Sequence, residues 1–167
     1  AEDLDFWVRL DHSGCRMAWL PSVVATYRIH DRAAVALPVG YAVACIQVLD
    51  GFFNQKDVPE AVQTQKNTIY AKRYLFAALR SYAVQLSAMG QRFLAEACRC
   101  DPALMEGTPP NLVHRIVDYA CGELMNEQEQ FMEFVFGQMP DSLSHLTHFH
   151  KTALESFSRR ALAGNEG

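Results

Sequence analysis

The chain has 167 residues, half of them hydrophobic and a fifth charged, which is enough for one domain or slightly more with a sizeable core and excludes wholesale disorder. Fifteen basic against nineteen acidic side chains leave a formal charge of −4, without the basic excess that a phosphate backbone demands, so nucleic acid is not an expected partner. Five cysteines, at positions 15, 45, 98, 100 and 121, form neither a paired zinc spacing nor a disulfide framework and read as reduced thiols of a cytoplasmic protein.

Residues 2–11 interleave Leu4, Phe6, Trp7, Val8 and Leu10 with Asp5 and Arg9, and Ser13 with Gly14 supplies a stop, so a short helix is expected there. The chain opens on Ala-Glu-Asp, directly into this pattern and without a signal peptide, as a piece of something longer would. Residues 15–20 and 23–30 are short, rich in Val, Trp, Tyr, Thr and Ile, and divided by Pro21 and Ser22, which predicts two strands. The longest uncharged stretch, 33–49, is interrupted by Pro38, Gly40 and Gln47, and a buried helix over 38–54 suits it better than a membrane span. That helix is expected to bury Val43, Ile46, Val48, Leu49, Phe52 and Phe53.

Asp57, with Pro59 in the first turn and Glu60 three residues on, predicts the start of a long helix. Its later turns place Leu75, Leu79, Tyr82, Leu86 and Met89 on one face, and Gly90 reads as the breaker. Residues 91–100 then form the second arm of an antiparallel hairpin that ends before Asp101-Pro102. Thr108, with Pro109 behind it, is expected to cap a helix whose stripe is Leu112, Val113, Ile116, Val117, Ala120 and Leu124. Asn126 with Glu129 opens the segment bearing Phe131, Met132, Val135, Phe136 and Met139, and Pro140 closes it. A last helix from Asp141 or Ser142 carries Leu143, Leu146, His150, Ala153, Leu154, Phe157 and Ala161.

Glu2 and Asp3 at a helix start complement the positive end of the helix dipole and by themselves say nothing of catalysis. In order, however, Glu2-Asp3-Leu4-Asp5-Phe6-Trp7-Val8-Arg9-Leu10, then Gly14, Trp19-Leu20-Pro21 and Tyr27-Arg28-Ile29-His30 resemble the C-terminal edge of the catalytic domain of family 2 glycosyltransferases. The resemblance covers about the first 32 residues. It implies Asp3 as general base with Glu2 as its neighbour, an acceptor hydroxyl losing its proton while attacking a nucleotide sugar. It also implies His30 near a divalent metal, Mg or Mn, or the donor diphosphate; otherwise His30 reads as a polar residue ending an edge strand. The nucleotide-binding sheet and the Asp-x-Asp motif of that family are absent from this chain, so the chain by itself is expected to be inactive.

Tyr74, Ala78, Gly90, Leu94, Ala97 and Pro102 resemble one tetratricopeptide unit, and a helical extension of this kind follows the catalytic domain in some multi-domain glycosyltransferases. The expected architecture is thus mainly α, a helical bundle or array with at most a short two-stranded β-ribbon near the N-terminus. The catalytic edge occupies residues 1–36 and an α-helical extension domain 37–167. The competing reading is a non-catalytic helical module for protein interaction. Either way no transmembrane segment is expected, and apolar surface around Phe6, Trp7 and Trp19 predicts a homo-oligomer for the chain alone. His145, His148 and His150 read as surface imidazoles plus a core-facing His150 rather than a metal site, and Cys98 and Cys100 as a buried and a more exposed thiol. Glu123, Glu127, Glu129 and Glu133 read as a solvated face, and His114 with Asp118 as an ordinary surface pair.

Overall fold

The computed structural model describes residues 1–18, 20–26, 38–123 and 128–155, and these are mainly α-helical. Helix α1 spans Glu2–His12, with Glu2, Asp3 and Asp5 in its first turn and Arg9 and His12 in its last, each sign set against the favourable end of the dipole. Arg9 reaches back to Asp5 at 2.8 Å. Ser13 closes the helix, and Gly14 at φ +79° supplies the left-handed turn that an L side chain resists.

The two strands expected over 15–20 and 23–30 do not pair within the described residues: 15–18 and 20–26 carry no β-ladder, and the rest, Tyr27 to His30 included, lie outside the description. Residues 15–18 and 20–26 are exposed throughout, and among the described residues no strand or helix covers them, which gains too little to hold a ladder. Val23 is 90% exposed accordingly.

Helix α2, Pro38–Phe53, buries Ala42, Cys45, Leu49 and Phe53, a narrower stripe than expected. Val43 is exposed, and Ile46, Val48 and Phe52 are half-buried. A helix this uniformly apolar gives no contrast from which to read its inner face, so small residues decide which side packs closest.

The long helix expected from Asp57 is divided. Pro59 stands at the N-terminus of a single turn, α3, Glu60–Gln63, and helix α4 begins anew at Lys66 and runs to Ala83. Asp57 caps nothing: its carboxylate lies 3.2 Å from His12 Nε2 of α1. The second departure is at the hairpin. Residues 84–86, with Gln85 at φ +60°, form the break, and helix α5 spans Ser87–Cys100 with Gly90 in its first turn. Gly90 is a contact, not a breaker, because a Cβ there would stand 2.7 Å from the Tyr82 ring. That ring is pinned, since Tyr82 is 1% exposed and its hydroxyl donates to the Gln138 carbonyl at 3.1 Å.

Asp101 accepts a bond from the Ala103 amide at 3.1 Å and so caps a 3-10 turn, Pro102–Met105. Helix α6 starts at Asn111, three residues beyond the expected cap Thr108. Gly107 at φ +92° reverses the chain and the Asn111 side chain donates to the Ala103 carbonyl at 2.9 Å, so Thr108 and Pro109 are spent in the turn. The expected stripe holds: Leu112, Val113, Ile116, Val117 and Ala120 are buried, while Leu124 is outside the description. Helix α7, Gln128–Gly137, buries Phe131, Met132, Val135 and Phe136, with Met139 just beyond.

The last segment opens as a 3-10 helix, Asp141–Phe149, and turns α-helical only over 150–155. Its apolar residues Leu143, Leu146 and Phe149 recur every third position, and the Ser144 and Thr147 hydroxyls donate to carbonyls three residues back at 2.8 Å, which favours the tighter winding. One large core joins α4, α5, α6, α7 and this segment with Ala42 of α2, and a smaller cluster around Leu49, Phe53 and Tyr70 ties α2 further to α4.

Candidate functional site

The sequence-expected acidic pair sits at the N-terminal end of α1, and both carboxylates are exposed. Hydrogen bonding from its own backbone amide, and then the Ala1 amino group at 3.0 Å, holds the Glu2 carboxyl below its ordinary value. The two residues diverge. Glu2, Asp5 and Arg9 line a cleft of about 450 Å³ between α1 and α2, floored by Val8, Val48 and Phe52. Asp3, one position on and so about 100° around the helix, does not line it. His30 lies outside the described residues.

No residue of α1 is buried. Phe6 and Trp7, edge to face with ring centroids 5.1 Å apart, are both about half exposed, and Met17, Leu20 and Val24 are exposed with them. Charged and apolar residues thus both face outward at this end of the chain.

Among the described residues no group of three or more His, Cys, Asp and Glu side chains could hold a metal ion. His148 stacks on its neighbour Phe149 at 3.9 Å, and His150 packs against Phe136 at 5.6 Å with its Nε2 buried. Cys98 and Cys100 are both half-buried. Burial, and then Asp101, pushes the Cys98 thiol up to about 11, and burial raises Cys100 as well, so neither is an activated thiolate. Glu129 and Glu133 are exposed as expected of a solvated face. His114 and Asp118 border a shallow hollow with Asp101 and Arg115, Arg115 standing 4.0 Å from Asp118.

A second cleft was not legible in the sequence. About 510 Å³ in volume, it lies where α2, α4 and α5 converge and is lined by Gln47, Asp50, Tyr74, Arg92 and Glu96 over Phe93 and Met89. Asp50 Oδ1 accepts the Tyr70 hydroxyl at 2.5 Å, and Glu96 Oε2 accepts two bonds from Arg99 at 2.8 and 2.6 Å. Burial, then Glu96, raises Tyr74, whose hydroxyl therefore stays protonated. No signal along the chain marks this set, because its members come from three helices and meet only through packing.

No protein-family model matches the chain, and neither a curated protein nor a solved structure matches it.

Proposed function

We propose that residues 1–36 form the C-terminal edge of a family 2 glycosyltransferase catalytic domain, that residues 37–167 are its α-helical extension, and that the intact enzyme transfers a sugar from a nucleotide-sugar donor to an acceptor hydroxyl. The observation that carries the reading is α1 itself: a helix with an acidic pair at its exposed N-terminal end, none of whose residues is buried among the described residues. A helix whose Phe6 and Trp7 stay half exposed among the described residues is suited to lie against further protein, as the resembling segment does against the catalytic sheet.

In this reading Asp3 accepts the proton of the acceptor hydroxyl as that oxygen bonds to the anomeric carbon. The carbon to phosphate-oxygen bond breaks, and the nucleoside diphosphate leaves. Glu2 faces the α1–α2 cleft and adds a second carboxylate at this end of the helix. A divalent metal, Mg or Mn, would offset charge on the leaving diphosphate in the intact enzyme, but the described residues offer no ligand set for it and no step is assigned to it.

Two measurements test this. In the intact enzyme Asp3→Asn lowers the transfer rate by roughly a hundredfold to ten-thousandfold with donor affinity nearly unchanged; wild-type turnover by that variant overturns the assignment. The coding sequence ahead of Ala1 must also specify a strand-rich nucleotide-binding segment with an Asp-x-Asp motif. A gene without it leaves the second reading, a helical interaction module. That reading is favoured by the closely packed α4–α5 hairpin, in which Ala78, Leu94 and Ala97 are fully buried.

A further inference from the structure

The cleft between α2, α4 and α5 combines features that select a ligand class. Its walls are three helices anchored in the two apolar clusters, through Leu49 on α2, Leu75 and Tyr70 on α4, and Leu94 on α5, so it is preformed rather than built by a loop. Its volume, about 510 Å³, lies in the range of small-molecule sites. The lining mixes hydrogen-bonding types: two carboxylates that accept, a guanidinium that donates, and an amide and a phenol that do both.

Charge and shape narrow the choice. Glu96 is offset by Arg99, and Asp50 and Arg92 carry opposite charges across the lining, so the cleft has no net charge that would select a strongly charged ligand. A neutral polyol is matched, because each hydroxyl both donates and accepts. Beside these groups stands the half-buried ring of Tyr74, backed by the buried Phe93 ring at a centroid distance of 6.2 Å, which presents an aromatic surface to a ligand with one apolar face. A pyranose has that makeup, with C–H groups on a ring face and hydroxyls around its edge. The carboxylates are also held before any ligand arrives, Asp50 by Tyr70 and Glu96 by Arg99, each through one oxygen, and a carboxylate so anchored keeps acceptor capacity on the other.

We propose that this cleft binds a neutral sugar, with one ring face against Tyr74 and its hydroxyls shared among Asp50, Glu96, Arg92 and Gln47. The assignment does not rest on the transferase reading, since none of these residues belongs to the segment that carries it. Gln47 borders both this cleft and the one beside α1.

Saturation-transfer NMR on the 167-residue chain with methyl glucoside, galactoside, mannoside and N-acetylglucosaminide tests the proposal. The expected result is transfer to the C–H protons of one ring face of at least one hexoside. Tyr74→Leu and Glu96→Gln, both checked for native circular dichroism, should each weaken that binding about tenfold or more. Glu96→Gln keeps the side chain's shape at a partly exposed position and so guards against a folding artefact. No transfer from any of the four hexosides, or binding that survives unchanged in either variant, overturns the proposal. So does preferential binding of choline or inorganic phosphate offered in their place. No nucleotide sugar enters the experiment, so its failure leaves the role of Asp3 untouched and the two readings fall separately.

Discussion

Helices α1 and α6 are of similar length and both are amphipathic, yet α6 buries Leu112, Val113, Ile116, Val117 and Ala120 while α1 buries nothing. A stripe of apolar residues specifies that a face is to be covered; it does not specify by what. In α6 the cover is α7 and the rest of the core, whereas among the described residues nothing covers Phe6 and Trp7, each about half exposed. Stability should therefore be concentrated in the α4–α7 body, and the N-terminal end should contribute to association more than to folding.

The largest effect is expected in the body. Leu94 is 0% exposed at the centre of α5, and Leu94→Ala should cost about 2–5 kcal/mol in urea unfolding, with a cavity left among rigid neighbours. A loss below about 1 kcal/mol would mean that the body is far looser than its packing implies.

Gly90→Ala sharpens the point, because in an ordinary helix the change stabilises by about 1 kcal/mol. Here the added methyl meets the Tyr82 ring at 2.7 Å, and that ring is fixed by its bond to Gln138, so a net loss of about 1–3 kcal/mol is expected. A stabilised variant would show that Tyr82 yields.

Alkali should act on the same body. The Cys98 thiol holds its proton to about 11 when folded against an ordinary value near 9, so across that interval the unfolded chain sheds a proton the folded chain keeps, and stability falls as pH rises. Burial raises Tyr82 in the same direction. Comparing urea midpoints near neutrality and at about pH 10 under reducing conditions, the Cys98 share should be no more than about 1 kcal/mol after allowing for its partial exposure. Cys98→Ala should flatten the profile by that share, and an unchanged slope would contradict it.

The smallest effect on stability belongs to α1. Phe6→Ser with Trp7→Ser should change the unfolding free energy by no more than about 0.5 kcal/mol, since both side chains are half exposed. The same double variant should shift the chain from a self-associated species toward monomer in light scattering at high concentration. A wild-type chain that is strictly monomeric would show that this surface attracts no second copy.

What could be read along the chain was whatever repeats within one element. The stripes of α6 and α7 were legible because their apolar residues alternate with polar ones at helical spacing. Near residue 85 the same logic failed. The pattern runs on through Leu86 and Met89, but Leu86 is exposed and the helix ends at Ala83, since the sharp packing of Gly90 on Tyr82 forces the reversal earlier. Asp57 has every local mark of a cap and instead lies against His12 of α1, a residue far away in sequence. Of the candidate sites, the placement of Glu2 and Asp3 at a helix start was legible, but their divergence depends on where α2 lies. The three-helix cleft was not legible at all, because Asp50, Tyr74 and Glu96 sit in unrelated local patterns.

Both tryptophans of the chain, Trp7 and Trp19, precede α2, whereas the rings that follow one another from Phe53 through Tyr70 and Tyr74 to Phe93 belong to α2, α4 and α5. The molecule is thus divided optically as well as energetically. Indole emission reports on the surroundings of the N-terminal end, and tyrosine ellipticity in the near ultraviolet reports mainly on the helical body, since every tyrosine but Tyr27 lies from α2 onward. A partner that covers α1 would shift the first signal and leave the second still, and a sugar resting on Tyr74 would do the reverse, so one cuvette without any label can tell the two events apart.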